Sequence, residues 1–234
     1  MTKLIVALDE SDQWANELVA KKLEGFVDHF KVGLTFFGSA GPLAIESVRR
    51  YGNVFCDLKL HDIPHQVGNM ASVLAGHGVW MFTVHASGGY QMVKAAVDAT
   101  KLIDPQSGEL SEGPMVAGVT VLTSMSSKGL TTVGQGEDVE SQVRRLARLA
   151  VDAGARTIVC SPHEIAALRD EVGTSVPLVV PGIRPAGSDR ADQSRVMTPG
   201  QAARAGADFI VVGRPITAAP DPLAAAKSIL EDLG

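Results

Sequence analysis

The segment Asp57-Leu58-Lys59-Leu60-His61-Asp62-Ile63-Pro64 carries the densest chemistry in the chain. It continues directly from the apolar run Val54–Cys56. Side chains alternate in direction along a strand, so Asp57 and Lys59 are expected to share one face. Asp62 then falls in the following loop, and Pro64 is well placed to open a helix. Burying three charges together is costly unless they pair. Two readings stay open on charge pattern alone. One is a structural ion pair closing the end of a sheet. The other is an ammonium held between carboxylates as a proton donor, with a carboxylate positioned to repel an anionic group brought against it.

Further charges stand where strands are expected. Asp9 ends the run IVALD, and Lys31 interrupts HFKVG. A lysine among Phe and Val must find a partner or snorkel to water, and Asp57 is the natural partner. Near the C-terminus, Gly213-Arg214-Pro215 and the Gly182/Arg184 pair of PGIRP combine two useful properties. Glycine lets backbone N–H groups approach an anion, and arginine adds a forked, permanent charge. Gln193, in the loop between, can reach the same anion. Turn glycines and surface arginines are the plain alternative.

The elements that must position these groups alternate regularly. Strands are expected at Leu4–Leu8, His29–Gly33, Val54–Leu58, Met81–His85, Val116–Leu122, Thr157–Cys160, Leu178–Val180 and Phe209–Val212. Their nearly continuous Val, Ile, Leu and Phe content suits parallel strands covered on both faces. Helical patterns fall between them at Trp14–Leu23, Leu43–Arg50, Val67–Ala75, Met92–Ala99, Val139–Ala153, Glu164–Glu171, Gly200–Ala205 and Pro222–Leu233. Ser11 is the expected cap of the first and Pro162 the expected start of the sixth; Gly154 and Gly206 read as helix stops. The pattern predicts a single-domain (β/α)8 TIM barrel over residues 1–234, with an open doubly wound sheet as the competing architecture. Two long connections, Thr123–Asp138 and Pro181–Pro199, follow strands and are expected on the face where barrel enzymes place their sites, as lids, with a floppy insertion as the plain alternative.

With 234 residues the chain is long enough for one large core. A formal net charge of −5 without a lysine or arginine cluster argues against nucleic acid as a partner. No apolar run approaches the ~20 residues of a membrane span, and the start MTKLIVALDE turns acidic too soon for a signal peptide, so a cytoplasmic protein is expected. Cys56 and Cys160 sit in apolar runs and read as buried, reduced thiols.

Taken together, IVALD, FKVG, DLKLHDIP, TVHASGG, VTVLTSM, VPGIRP, DQSRVMTP and IVVGRPIT closely resemble the orotidine 5′-phosphate decarboxylases along essentially the whole chain. The resemblance implies cofactor-free conversion of orotidine 5′-monophosphate to UMP in pyrimidine biosynthesis. It implies Lys59 as the proton donor to pyrimidine C6, Asp57 as the carboxylate set against the substrate carboxylate, and Lys31 and Asp62 completing an alternating charge array. In that family the counterpart of Asp62 comes from a partner subunit, so a homodimer is implied. Asp9 and Lys31 resemble ribose ligands. Thr123, with Ser124 or Ser126 as neighbours, resembles the pyrimidine contact. Arg184, Gln193, Gly213 and Arg214 resemble the phosphate grip. One departure stands out: where the family commonly has Asn-Thr after D-I-P, with the Thr touching ligand, this chain has His65 and Gln66, so Gln66 must reach by a different path. Sugar-phosphate lyases on the same barrel share D-x-K-x-x-D but bind magnesium partly through a Glu near the end of strand two, where this chain has Lys31. A catalytically silent nucleotide-phosphate binder is the third reading. His61 and His85 are read as satisfied core histidines, with groups supporting the site from behind as the alternative.

Overall fold

The computed structural model describes residues 1–103, 110–111, 113–136, 138–185 and 197–234. Eight parallel strands close into a barrel: β1 (Lys3–Leu8), β2 (His29–Gly33), β3 (Asn53–Leu60), β4 (Met81–His85), β5 (Met115–Val119), β6 (Thr157–Val159), β7 (Leu178–Val180) and β8 (Phe209–Val212). Each pairs with the next, and β1 closes on β8 with Lys3 opposite Phe209 and Val6 opposite Val212. Closure rules out the open doubly wound sheet.

The alternation of side chains sorts the core into two layers. Ile5 and Ala7 of β1, Phe55 of β3, Met81 of β4, Ala117 of β5, Val179 of β7 and Val211 of β8 pack together inside the barrel. Their neighbours Leu4, Val6, Leu8, Val54, Cys56, Phe82, Val84, Val180 and Val212 point outward under the helices. Continuing each inward column past its last apolar member gives Asp9, Asp57, Thr83 and Gly213. The same parity that fills the barrel therefore delivers polar groups to its C-terminal mouth. At the opposite end, His29 stacks on Trp80 with ring centroids 4.3 Å apart, and Phe209 meets both rings edge-on. This aromatic plug seals the floor.

Local signals fix the element ends. Pro64 occupies the first turn of the helix Pro64–Gly76. Gly206, in the left-handed conformation, ends the helix Pro199–Ala205, whose cap Thr198 forms a reciprocal box with Gln201. The first helix, Gln13–Lys22, is capped by Asp12 and not by Ser11: the Asp12 carboxylate accepts from the Trp14 N–H at 2.9 Å. Pro162 opens a 3-10 turn, Pro162–Glu164, that leads into the helix Ile165–Val172. Three short helices lack a long amphipathic pattern and are absent from the sequence reading: Leu34–Ala40, Ser127–Thr132 and Arg214–Thr217. So is a two-stranded ribbon of Leu102–Ile103 with Leu110–Ser111. The connection after β5 is thus partly helical. The base of the connection after β7 is pinned where the Arg184 N–H donates to the Met197 carbonyl at 2.9 Å.

Both cysteines are free and buried, as expected; burial pushes the Cys56 thiol up to about 12. Among the described residues no helix is long and apolar enough to cross a membrane.

Candidate active site

The barrel mouth holds a cavity of about 470 Å³. Its floor is apolar, made by Ala7, Phe55, Val119, Val159, Val179 and Val211. Asp9, Lys31, Asp57 and Lys59 line one side, from β1 to β3, while Gly182, Arg184, Gly213 and Arg214 line the side after β7 and β8. Thr123 lies on the wall between, after β5.

The charges form one connected set. Lys59 Nζ donates to both oxygens of Asp57 at 2.9 Å. Lys31 Nζ lies 2.7 Å from Asp9 Oδ1 and 3.7 Å from Asp57 Oδ2. Lys31 therefore has two carboxylate partners, the expected Asp57 and the nearer Asp9. Asp57 sits between two ammonium groups with only 14% of its side chain exposed. Burial pushes its carboxyl up, but the charges of Lys31 and Lys59, with hydrogen bonds from Lys59 and Thr83, outweigh burial and hold it below the usual carboxylate range.

Asp57 and Lys59 do share the cavity, but not by simple alternation. Pairing between β3 and β4 jumps from Cys56↔Phe82 to Leu60↔Val84, four residues against two. Within that bulge Lys59 takes φ +52°, the one positive φ outside glycine among the described residues. The strained backbone re-aims the lysine into the mouth.

Gly33 makes room for the pair beside it. A Cβ built there would sit 2.2 Å from Asp9 Oδ1 and 2.7 Å from Lys31 Nζ. The glycine of FKVG is thus part of the site, a role the sequence reading did not assign; a strand glycine beside a charged residue was the available signal. Thr83, fully buried on β4, is the second omission. Its place on the inward parity of MFTVH was the signal. Glu10, Cys160 and Thr217 also line the cavity.

Other expected residues lie elsewhere. Asp62 and Gln66 are exposed and outside the cavity lining; Asp62 Oδ1 accepts from the Ile63 N–H at 2.7 Å. Ser124 and Ser126 are also exposed and outside the lining, and Ser126 Oγ caps the helix Ser127–Thr132 by accepting from the Gly129 N–H at 3.2 Å. Of the three candidates after β5, Thr123 is the one on the wall. Gln193 lies outside the described residues. His61 is exposed, not a core residue, while His85 is half-buried 5.4 Å from it, its pKa lowered first by burial and then by His61 and Lys59. His61 stays in water because it follows the bulge, where the strand leaves the barrel.

Comparison with known proteins matches residues 2–229 to the model of the orotidine 5′-phosphate decarboxylase / HUMPS family. An orotidine 5′-phosphate decarboxylase of Moorella thermoacetica is 48% identical over 234 residues, covering 99% of this chain and 92% of that protein. One from Gluconobacter oxydans is 48% identical over 99% of this chain and 97% of that protein. Among solved structures, the orotidine 5′-phosphate decarboxylase of Lactobacillus acidophilus superposes with a TM-score of 0.83 at 37% identity, over the full length of both chains. With its closed barrel, its charged mouth and these relatives, the chain belongs to the orotidine 5′-phosphate decarboxylase / HUMPS family.

Proposed function

We propose that this chain decarboxylates orotidine 5′-monophosphate to UMP and carbon dioxide without a cofactor, in pyrimidine biosynthesis, with Lys59 as the proton donor. The observation that carries the reading is Lys59 Nζ clamped 2.9 Å from both Asp57 oxygens, on a cavity whose far side presents Arg184 and Arg214. The C6–carboxylate bond breaks, carbon dioxide departs, and the electron pair stays at C6. The Lys59 ammonium stabilises that charge and then transfers its proton to C6, leaving a neutral amine that solvent reprotonates. Asp57 keeps the ammonium in place and faces the substrate carboxylate. The apolar floor excludes water, which strengthens each of these interactions. Arg184, Gly213, Arg214 and Gln193 take the phosphate, whose binding energy is available to hold the reacting end. Thr123 contacts the pyrimidine, and Asp9 with Lys31 the ribose.

In this reading the chain works as a cytoplasmic homodimer. Asp62 of one copy completes the array of its neighbour, and Gln66 approaches the ligand beside it. The exposed run Asp62-Ile63, with Ile63 63% exposed next to the mouth, supports a partner there. An active monomer in sedimentation at assay concentration refutes it.

Ultraviolet-monitored loss of orotidylate, with and without EDTA, tests substrate, reaction and metal independence together. UMP formation unaffected by chelator is expected, and Lys59→Ala abolishes it while UMP still binds. No consumption of orotidylate, or consumption that EDTA stops, overturns the reading; the latter outcome favours a magnesium-dependent sugar-phosphate lyase, against which Lys31 now stands.

A further inference from the structure

The bulge in β3 leaves Lys59 in a conformation that needs support. A left-handed backbone crowds the Cβ of any residue but glycine against the following carbonyl, and its N–H cannot follow the regular ladder. Thr83 stands on β4 between Phe82 and Val84, the two residues that flank the jump in pairing. Its Oγ1 accepts from the Lys59 N–H at 2.8 Å and donates to Asp57 Oδ1 at 3.0 Å. A threonine hydroxyl has one proton. Because the Lys59 N–H donates to Oγ1, that proton is free to point at the carboxylate. The direction of the chain is therefore set: amide to hydroxyl to carboxylate.

We propose that Thr83 is a positioning residue for the decarboxylation, holding the strained Lys59 backbone and the Asp57 carboxylate through one hydroxyl. The inference rests on the function proposed above. Thr83 does not line the cavity and acts only through the two residues it ties together. It is fully buried, so no water replaces the hydroxyl when it is removed. Losing it frees the Lys59 N–H, lets the ammonium drift from the position where it meets C6, and deprives Asp57 of a donor. A carboxylate with one donor fewer protonates more readily. The phosphate contacts on the opposite side of the barrel are untouched, so the defect falls on the chemical step.

The test compares Thr83→Val, nearly isosteric and without the hydroxyl, with Thr83→Ser, which keeps it. In Thr83→Val, kcat is expected to fall by about 10- to 100-fold, the effect of one hydrogen bond to a charged group, while KM and UMP affinity change little. The acid limb of its kcat profile moves to higher pH, a change that a merely structural hydroxyl would not produce. Thr83→Ser restores both rate and profile. Should Thr83→Val fail to fold by circular dichroism, Thr83→Ala is read for the same split between kcat and KM. Wild-type kcat with an unmoved acid limb in a folded hydroxyl-free variant overturns the inference, as does a Thr83→Ser variant as impaired as Thr83→Val. If instead the wild-type protein does not consume orotidylate, it is the proposed function that has failed.

Discussion

Gly33→Ala isolates the contribution of the Lys31–Asp9 pair without touching either residue. Gly33 has φ −93° and ψ −179°, a conformation alanine adopts freely, so the substitution adds no backbone strain. Its effect comes from the new methyl group, which would meet Asp9 Oδ1 at 2.2 Å and Lys31 Nζ at 2.7 Å. Something must move. The Asp9 side chain is 55% exposed and the Lys31 side chain only 10%, so Asp9 swings to water while the Lys31 ammonium gives by a few tenths of an ångström. Lys31 then keeps Asp57 alone, at 3.7 Å. A hydrogen bond between charged groups contributes about 1.5–3 kcal/mol; with one partner half-exposed, about 1–2 kcal/mol is the expected loss. That corresponds to a fall of roughly 5- to 30-fold in kcat/KM for orotidylate. Gly38→Ala is the control: it lies on an exposed helix face with nothing within 4 Å of the new Cβ, and it is expected to leave kcat/KM unchanged while stabilising the helix. Absorbance assays give the rates and thermal melts separate activity from unfolding. A folded Gly33→Ala protein with kcat/KM within about twofold of wild type refutes the steric argument and the importance of the pair.

Two further outcomes follow from groups at either end of the barrel. Arg214→Ala is expected to lower kcat/KM for orotidylate by about 100-fold, yet to leave the slow reaction of the phosphate-free nucleoside unchanged, because in the proposed reading only the phosphorylated substrate engages that side; equal losses on both substrates refute the phosphate role. His29, buried in the floor plug, has its pKa lowered first by burial and then by Lys3, and its Nε2 finds no partner among the described residues. The unfolded chain thus binds more protons than the folded one below about pH 6.5, and stability is fully present above that pH and falls as acid is added. Urea midpoints across this range should show that slope in wild type and a flatter one in His29→Phe; equal slopes refute the assignment.

Much of the architecture was legible because burial on both faces writes a continuous apolar signature. The runs His29–Gly33, Met81–His85, Leu178–Val180 and Phe209–Val212 coincide with the strands. The helix at Leu34–Ala40 escaped because its seven residues, LTFFGSA, span too few turns to show a stripe. Ser11 and Asp12 are both good caps, and no local rule chooses between adjacent candidates. In the site, charge in an apolar strand was enough to single out Lys31 and Asp57. Lys59 was placed on the correct side by a rule it does not obey. Alternation assumes regular pairing, whereas the bulge and the left-handed backbone at Lys59 set its direction. No propensity signals that conformation, since lysine disfavours it; the tertiary contact with Thr83 sustains it. Gly33 and Thr83 were missed for a related reason: small residues reveal their role only through what stands next to them.

The two ends of β2 show how one barrel tolerates this chemistry. His29 and Lys31 are two residues apart, both inward and both buried. At the floor, two aromatic rings pack on the basic group and among the described residues no carboxylate pairs with it, and burial shifts it toward its neutral form. At the mouth, two carboxylates meet the basic group, and each has a further route to stabilisation: Asp9 through water, Asp57 through Lys59 and Thr83. Placing the charges only where the barrel opens keeps their desolvation partial until a ligand covers them. The ions are already paired with one another, so a ligand that covers the mouth strengthens fields whose orientation the barrel has set.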